Sequence, residues 1–438
     1  MNCRESLIKI FNKAVKGVEP SMLVKEHIQE MNSNLFKRLF VAGFGKASVQ
    51  MVRALEEDGL EEVITKGIVI TKYGHGIGSR SGARSRGSKI EVFEAGHPVP
   101  DENGLRGTEK IIKLLKDADE DSLILCLISG GGSALLVSPY EDILLHDKQR
   151  VTELLLKAGA DINELNTVRK HISMVKGGKL AEIAYPARVI SLILSDVIGD
   201  RVDVIASGPT APDSTTYTDA LNVIDKFGLS EEIPERVMKI LRRGREGLIP
   251  ETPKDNSPVF RNVKNIIIGN NLMALKTARE YAEEMDYKAD IIATDISGEA
   301  RDVGRWLADK VKELKDSRVQ KFKNPLCLIS GGETTVTVKG NGLGGRNMEL
   351  ALAFAIEIEG IDGITFLSAG MDGMDGPTDA AGAIVSGETV KTAKALGLDP
   401  MKYLEDNDSY NFFKEIDSLL ITGPTGTNVM DIQITLIE

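Results

Sequence analysis

Cysteine is nearly missing from this 438-residue chain, with three copies, and one tryptophan, five histidines and 5% aromatic residues complete the scarcities. Three cysteines cannot build a disulfide framework. Cys126 and Cys327 sit inside apolar runs, where a thiol is inert filling, and no CxxC pair occurs. The histidines are scattered and no HExxH occurs, which excludes the common zinc signatures. No apolar stretch reaches membrane-spanning length. The N-terminus has no signal-peptide core, since Leu7, Ile8, Phe11 and Val15 fit a helical stripe instead. A cytoplasmic protein without a membrane partner is the expectation. Positive charge is also short: 54 Lys and Arg against 65 Asp and Glu leave a formal net charge of −11. That balance disfavours a nucleic-acid partner, although a local basic cleft can still hold phosphates.

What is present fits a soluble enzyme. Hydrophobic residues make up 42% and charged residues 27%, ordinary proportions for a globular chain, and 438 residues exceed one core of usual size. From about residue 38, apolar runs alternate with helical patterns. Strands are predicted at 39–42, 68–70, 90–93, 123–128 and 189–194, with helices at 47–55 and 107–115 between them. The expected fold class is therefore α/β with a mainly parallel, doubly wound first sheet. A polar stretch at 245–262 carrying Pro250, Pro253 and Pro258 is the linker candidate, which divides the chain into 1–244 and 245–438. The first 35 residues are helical by pattern and can pack on either domain. Residues 72–89, rich in Gly, Ser and cations, read as a solvated loop or an anion-gripping lid.

The hexapeptide Cys-Leu-Ile-Ser-Gly-Gly occurs twice, at 126–131 and 327–332. Each copy reads as a buried strand that opens into a close-approach glycine turn. Such strand ends are where open α/β sheets bind ligands. Gly132 and Ser133 continue the first copy towards a helix. The alternating Glu333 to Val338 continues the second and predicts a returning strand, hence a mixed sheet in the second domain. Gly130, Gly131, Gly132 and Ser133 in one copy, with Gly331 and Gly332 in the other, are the expected phosphate contacts; ordinary turns explain either copy alone equally well.

Other candidates cluster at strand ends. Gly43-Phe44-Gly45-Lys46-Ala47 follows the first strand and opens a helix, so Lys46 can offer a mobile positive charge there. Neither a P-loop nor a dinucleotide fingerprint is present at that turn. Gly340, Gly342 and Gly345 nominally satisfy GxGxxG, a weak signal alone. Arg346 stands at the mouth of the next helix, where it can neutralise charge on phosphoryl oxygens or simply cap its loop. Asp196 follows an apolar strand and can take a hydroxyl proton or hold magnesium. Asp372 and Asp375 are interleaved with glycine, an arrangement that suits magnesium or Asx turns. The cation-rich run from Asn166 through Arg169 and His171 to Lys179 suits carboxylate or phosphate capture, with a solvated basic face as the equal competitor. His97 sits in a stiff proline-rich turn. Together these features suit phosphoryl transfer between a nucleotide and a small acid better than redox chemistry.

At these residues the chain resembles the type II glycerate kinase family, once labelled hydroxypyruvate reductase. The segments that carry the likeness are 43–47, 94–101, 128–136, 166–171, 176–181, 194–212, 329–333, 344–349, 368–383 and 422–431. The resemblance implies two α/β domains, the first Rossmann-like, around a cleft. It also implies ATP- and Mg²⁺-dependent phosphorylation of D-glycerate to 2-phosphoglycerate, with Lys46 and Arg346 as catalytic cations; Asp196, from its own place after a strand, is the residue expected on base or metal duty. Lys46, Arg169 and His97 are the expected substrate contacts, and the reading leaves a homodimer open. A nicotinamide-dependent hydroxypyruvate reductase is the alternative.

Overall fold

The computed structural model describes residues 2–29, 36–57, 62–76, 89–318 and 325–438. Most of the expected polar loop at 72–89 therefore lies outside the described residues. The chain divides into two compact units, Pro20–Ile268 and the combination of Met1–Glu19 with Gly269–Glu438.

The first unit carries β1 (Arg38–Phe44), β2 (Ile64–Lys72), β3 (Ile90–Ala95), β4 (Ser122–Ile128), β5 (Arg188–Leu194) and β6 (Val263–Gly269), in the order β3-β2-β1-β4-β5-β6. Strands β1 to β5 pair in parallel. All seven residues of β4, Ser-Leu-Ile-Leu-Cys-Leu-Ile, are buried, as a strand covered on both faces requires. Chain progression runs outward in opposite directions from β1 and β4, so a crevice is left at their carboxyl ends, the topological switch point of a doubly wound sheet. Phe44 lies level with Ile128, and Ile128 with Ile193, which brings the ends of three strands to one height. A helical layer with its own core, including Leu155, Val168, Tyr217, Ile224 and Leu241, completes this unit.

The second unit carries β7 (Lys288–Ile296), β8 (Leu326–Gly332), β9 (Ile364–Gly370), β10 (Gly382–Ser386), β11 (Leu419–Leu420) and β12 (Asp431–Ile437), in the order β11-β10-β9-β12-β8-β7. The β7–β8 pair is parallel, and the remaining pairs are antiparallel, so the sheet is mixed as expected. Helix Arg346–Glu357 is buried continuously from Asn347 to Ala355. Its Leu-Ala-Leu-Ala-Phe-Ala sequence is apolar on every side, the signature of a core helix. Phe354 stacks on Phe366 of β9 at 3.9 Å.

Two expectations change and one open point is settled. The dividing line at 244/245 is too early, because β6 adds to the first sheet and its unit runs to Ile268. The N-terminal helix Cys3–Lys16 belongs with the second unit, burying Leu7, Ile10, Phe11 and Ala14. Glu333 to Val338 does not return as a strand; only Thr335 forms an isolated bridge, to Glu299. Strand order next to β8 is instead filled by β12, the C-terminal segment, on one side and β7 on the other. Among the described residues no helix is long and apolar enough to cross a membrane.

Candidate active site

In the first unit the site begins at the β1–β4 crevice. The Lys46 amide donates to Gly130 O at 2.8 Å, and the Ala47 amide to Ser129 Oγ at 3.0 Å, so the two strand-end turns are stitched together. Gly131 has φ +81°, and a Cβ there would stand 2.9 Å from His97 Cδ2 and 3.2 Å from Lys46 Cγ. Glycine is thus required for both backbone angle and space. The same measurement places Lys46, His97 and the first glycine turn side by side, three groups that the sequence offered separately.

The turn continues into a hydroxyl relay. Ser133 Oγ lies 2.9 Å from Ser207 Oγ, and Ser207 Oγ donates to Asn166 Oδ1 at 2.9 Å. Ala206 and Ser207 hold φ values of +51° and +63°, a left-handed conformation costing roughly 1–2 kcal/mol per non-glycine residue. Strain of this kind concentrates where a side chain must be aimed. Asp196 follows the end of β5, half-buried, and β5 pairs with β4, the strand that leads into Gly130. In the cation-rich run, Lys170 Nζ pairs with Asp213 Oδ1 at 3.1 Å with both side chains almost wholly buried. Lys179 Nζ donates to Ser173 O at 2.7 Å and Lys170 O at 3.2 Å. The solvated-face alternative therefore fails: these cations brace the loop from inside. Arg169 is half-buried in the last turn of helix Ile162–His171.

The second unit assembles a charged cluster at the mouth of its sheet. Asp431 opens β12 and is level with Gly332 on one side and Gly370 on the other. Arg346 Nε donates to Asp431 Oδ2 at 2.6 Å and Nη2 to Oδ1 at 2.9 Å, while Nη1 reaches Glu333 Oε1 at 2.5 Å. Burial works against the guanidinium charge, but Asp431 and Glu333 outweigh it and hold Arg346 above the ordinary arginine range. Asp375 is buried and accepts from the Asn347 and Met348 amides at 3.1 and 2.8 Å, capping the helix that Arg346 begins. Burial pushes its carboxyl up to about 7.

Several sequence candidates acquire structural explanations. Gly331 and Gly332 are buried inside β8 rather than in an open turn; a Cβ on the first would collide with Asn271 and on the second with Ile296. Gly340 and Gly342 press on the backbone of residues 406–408, and the Gly340 amide donates to Asn407 Oδ1 at 3.0 Å. The nominal fingerprint is thus occupied by the chain itself, with no strand ahead of it. Asp372 Oδ1 accepts from the Met374 amide at 3.1 Å, an Asx turn. Among the described residues no group of three or more His, Cys, Asp or Glu side chains is placed to hold a metal ion.

The sequence reading missed Ser207, Asp431 and the partnership of Glu333 with Arg346. Asp431 had a usable signal, a carboxylate directly before an alternating strand. Ser207 had none, because its role depends on an unusual backbone angle.

Comparison with known proteins accords with this architecture. Residues 6–242 match the model of a domain of unknown function, DUF4147, and residues 326–431 match the MOFRL family. The chain is 48% identical over 430 residues to a D-glycerate 2-kinase of Thermotoga maritima, covering 98% of this chain and 97% of the relative. It is 40% identical to a glycerate 2-kinase of Pyrococcus horikoshii, covering 100% of this chain and 98% of the relative. The crystal structure of glycerate kinase from Thermotoga maritima superposes with a TM-score of 0.87 at 47% identity, covering 100% of this chain and 99% of that one. Matched end to end by such relatives, in sequence and in fold, the chain belongs to the glycerate kinase family.

Proposed function

We propose that the protein is an ATP-dependent glycerate 2-kinase, transferring the γ-phosphoryl group to D-glycerate and giving 2-phosphoglycerate. The observation that carries this reading is the packing of Lys46, Gly131 and His97 at the strand-order switch point, in a chain that aligns over its full length with glycerate kinases. In the reaction a glycerate hydroxyl oxygen forms a bond to the γ-phosphorus, the bond from that phosphorus to the ADP oxygen breaks, and the hydroxyl proton passes to a base.

Lys46 supplies positive charge to the transferring group, and the backbone amides of Gly130 and Gly131 with the Ser133 hydroxyl receive phosphate oxygens, while the Gly132 amide stays on Ser129 O at 3.3 Å. Asp196, half-buried beyond β5, accepts the hydroxyl proton. Arg169 and His97 orient the acid. Arg346 is the candidate cation of the second unit. Its Nε and Nη2 edge stays on buried Asp431, while Nη1 faces Glu333, whose side chain is 43% exposed, so that single bond can be exchanged for a phosphoryl oxygen. Gly331 and Gly332 have no part in this scheme.

The donor set suits a magnesium ion held mainly by nucleotide phosphates and water, a mode that needs only one or two carboxylates. Asp196 in the first unit or Asp372 in the second is the carboxylate that would hold it, Asp196 in that case giving up the role of base; Asp375 already gives its oxygens to backbone amides. When bound, the ion would offset charge on the nucleotide phosphates.

The reductase alternative loses its main support because Gly340 and Gly342 pack on residues 406–408. A coupled assay tests the choice. ADP release that requires D-glycerate is the expected result; NADH oxidation with hydroxypyruvate and no ADP release would reverse it.

A further inference from the structure

Three cations of the first unit are unexplained by the packing described so far. Lys148 is 3% exposed and Lys176 is wholly buried, and half-buried Arg169 is near enough for its charge to act on both. Lys148 lies on the inner face of helix Leu145–Lys157, three and seven residues before buried Val151 and Leu155. Lys176 sits in the loop just ahead of helix Lys179–Ala184, where its Nζ donates to Ala206 O at 3.2 Å. Among the described residues none of the three forms an ion pair with a carboxylate; the charges acting on Lys148 and Lys176 are those of the other cations. Burial, then Lys148 and Arg169, push the Lys176 ammonium well below its ordinary value, and burial with Arg169 brings Lys148 down to about 7. Bringing like charges together out of water costs stability unless something negative joins them.

A second, independent observation lies on the same turn. Asn166 is 3% exposed and its Nδ2 has no hydrogen-bond partner, although its Oδ1 is fixed by Ser207 Oγ at 2.9 Å. Asn166 is one helical turn before Arg169, so the two share a face of helix Ile162–His171. Asn166 and Lys176 are therefore both moored to the consecutive residues Ala206 and Ser207, the strained pair with positive φ. Buried donors without acceptors are rare in folded proteins and mark a place where an acceptor belongs. Two Lys176 protons, the Lys148 ammonium, the Arg169 fork and the Asn166 amide are all donors. Arg169 is the member with most exposure.

We infer that Lys148, Arg169, Lys176 and the Asn166 amide form a pocket for one small oxyanion, a carboxylate or phosphoryl group. The identification of that anion rests on the kinase reading: it is the carboxylate of the acid or a phosphate of the nucleotide. The pocket itself does not rest on it. Ser133 Oγ, 2.9 Å from Ser207 Oγ, links it to the glycine turn.

The test is thermal unfolding and calorimetric titration of the full-length protein with inorganic phosphate, D-glycerate and a non-hydrolysable ATP analogue, using wild type, Lys176→Met and Arg169→Met. The second variant, at a half-buried position, covers the event that the first does not fold. Wild type should gain melting temperature with phosphate, and both variants should lose that gain. Each variant should also lose at least tenfold in affinity for one organic ligand. Loss confined to D-glycerate assigns the carboxylate, and loss confined to the analogue assigns the nucleotide phosphate. The inference is overturned if wild type shows no gain with any of the three, or if both variants bind all three as wild type does. A protein that binds phosphate through these residues but fails to phosphorylate glycerate would keep the pocket and discard the kinase reading.

Discussion

Arg346 holds Asp431 through two parallel hydrogen bonds, Nε to Oδ2 at 2.6 Å and Nη2 to Oδ1 at 2.9 Å. The pair joins the start of the core helix to the first residue of β12, so one contact serves both the fold and the proposed chemistry.

Those two duties can be separated by mutation. Arg346→Met leaves a buried carboxylate without its partner and should destabilise the protein by about 3 kcal/mol, the low end for such a break, because a third of the arginine side chain is exposed. Adding Asp431→Leu should recover much of that stability, since apolar replacements of buried pairs are often neutral, yet turnover should stay lost. Urea unfolding and ADP release measured on both variants check this. Recovery of turnover in the double variant would remove Arg346 from the reaction.

Asp375 ties stability to pH. Burial raises its carboxyl to about 7, and the Asp431 carboxyl is raised as well, with Arg346 the cation facing both. Between about 4 and 7 the unfolded chain has lost the Asp375 proton while the folded protein keeps it. Stability should therefore fall as pH rises through that window. Asp375→Asn imitates the protonated form and should flatten the fall, as read by urea midpoints at pH 5 and pH 8. An unchanged difference between the two midpoints would contradict the assignment.

At the glycine turn, Gly131→Ala introduces a Cβ 2.9 Å from His97 Cδ2 and 3.2 Å from Lys46 Cγ, at a φ of +81°. The backbone cost is about 1–2 kcal/mol. The displacement of Lys46 should cost more in activity than in stability, with turnover falling about 10²-fold. Steady-state kinetics beside a melting curve measure the two effects. A variant that loses stability but turns over normally would mean that the turn is only structural.

The hydroxyl relay gives a further check. Ser207→Ala takes away the donor to Asn166 Oδ1 and the neighbour of Ser133 Oγ, and should cost about 1–3 kcal/mol for the buried acceptor left unsatisfied. Ser207→Gly removes the same hydroxyl but relieves the positive φ, so it should be the more stable of the two by about 1 kcal/mol. Equal denaturation midpoints would show that the turn stores no strain.

The parallel first sheet was legible because its strands are continuous apolar runs bounded by glycine and helix signals, and Lys46, Gly130 and Asp196 fall at strand ends for that reason. The repeated hexapeptide was half informative. Its first copy ends in a turn beyond β4, but in the second copy the glycines lie within β8, level with Asp431 and Ile432 of β12, and are consumed by Asn271 and Ile296. Pairing by a segment about 100 residues further along leaves no local trace. Strand β10 went unnoticed because Gly-Ala-Ile-Val-Ser is short and begins with small residues. Lys148 escaped because a lysine on a charged helix reads as solvated until the helix's inner face is known, and the linker at 245–262 misled because β6 follows it back into the first sheet.

The most direct measurement is ADP release by wild type and Lys46→Ala with ATP, with and without D-glycerate. The expected result is release that requires glycerate in wild type and falls about 10²–10³-fold in Lys46→Ala, with an unaltered melting temperature. Near-native release by Lys46→Ala, or no glycerate-dependent release by wild type, would contradict the assignment of this crevice to phosphoryl transfer.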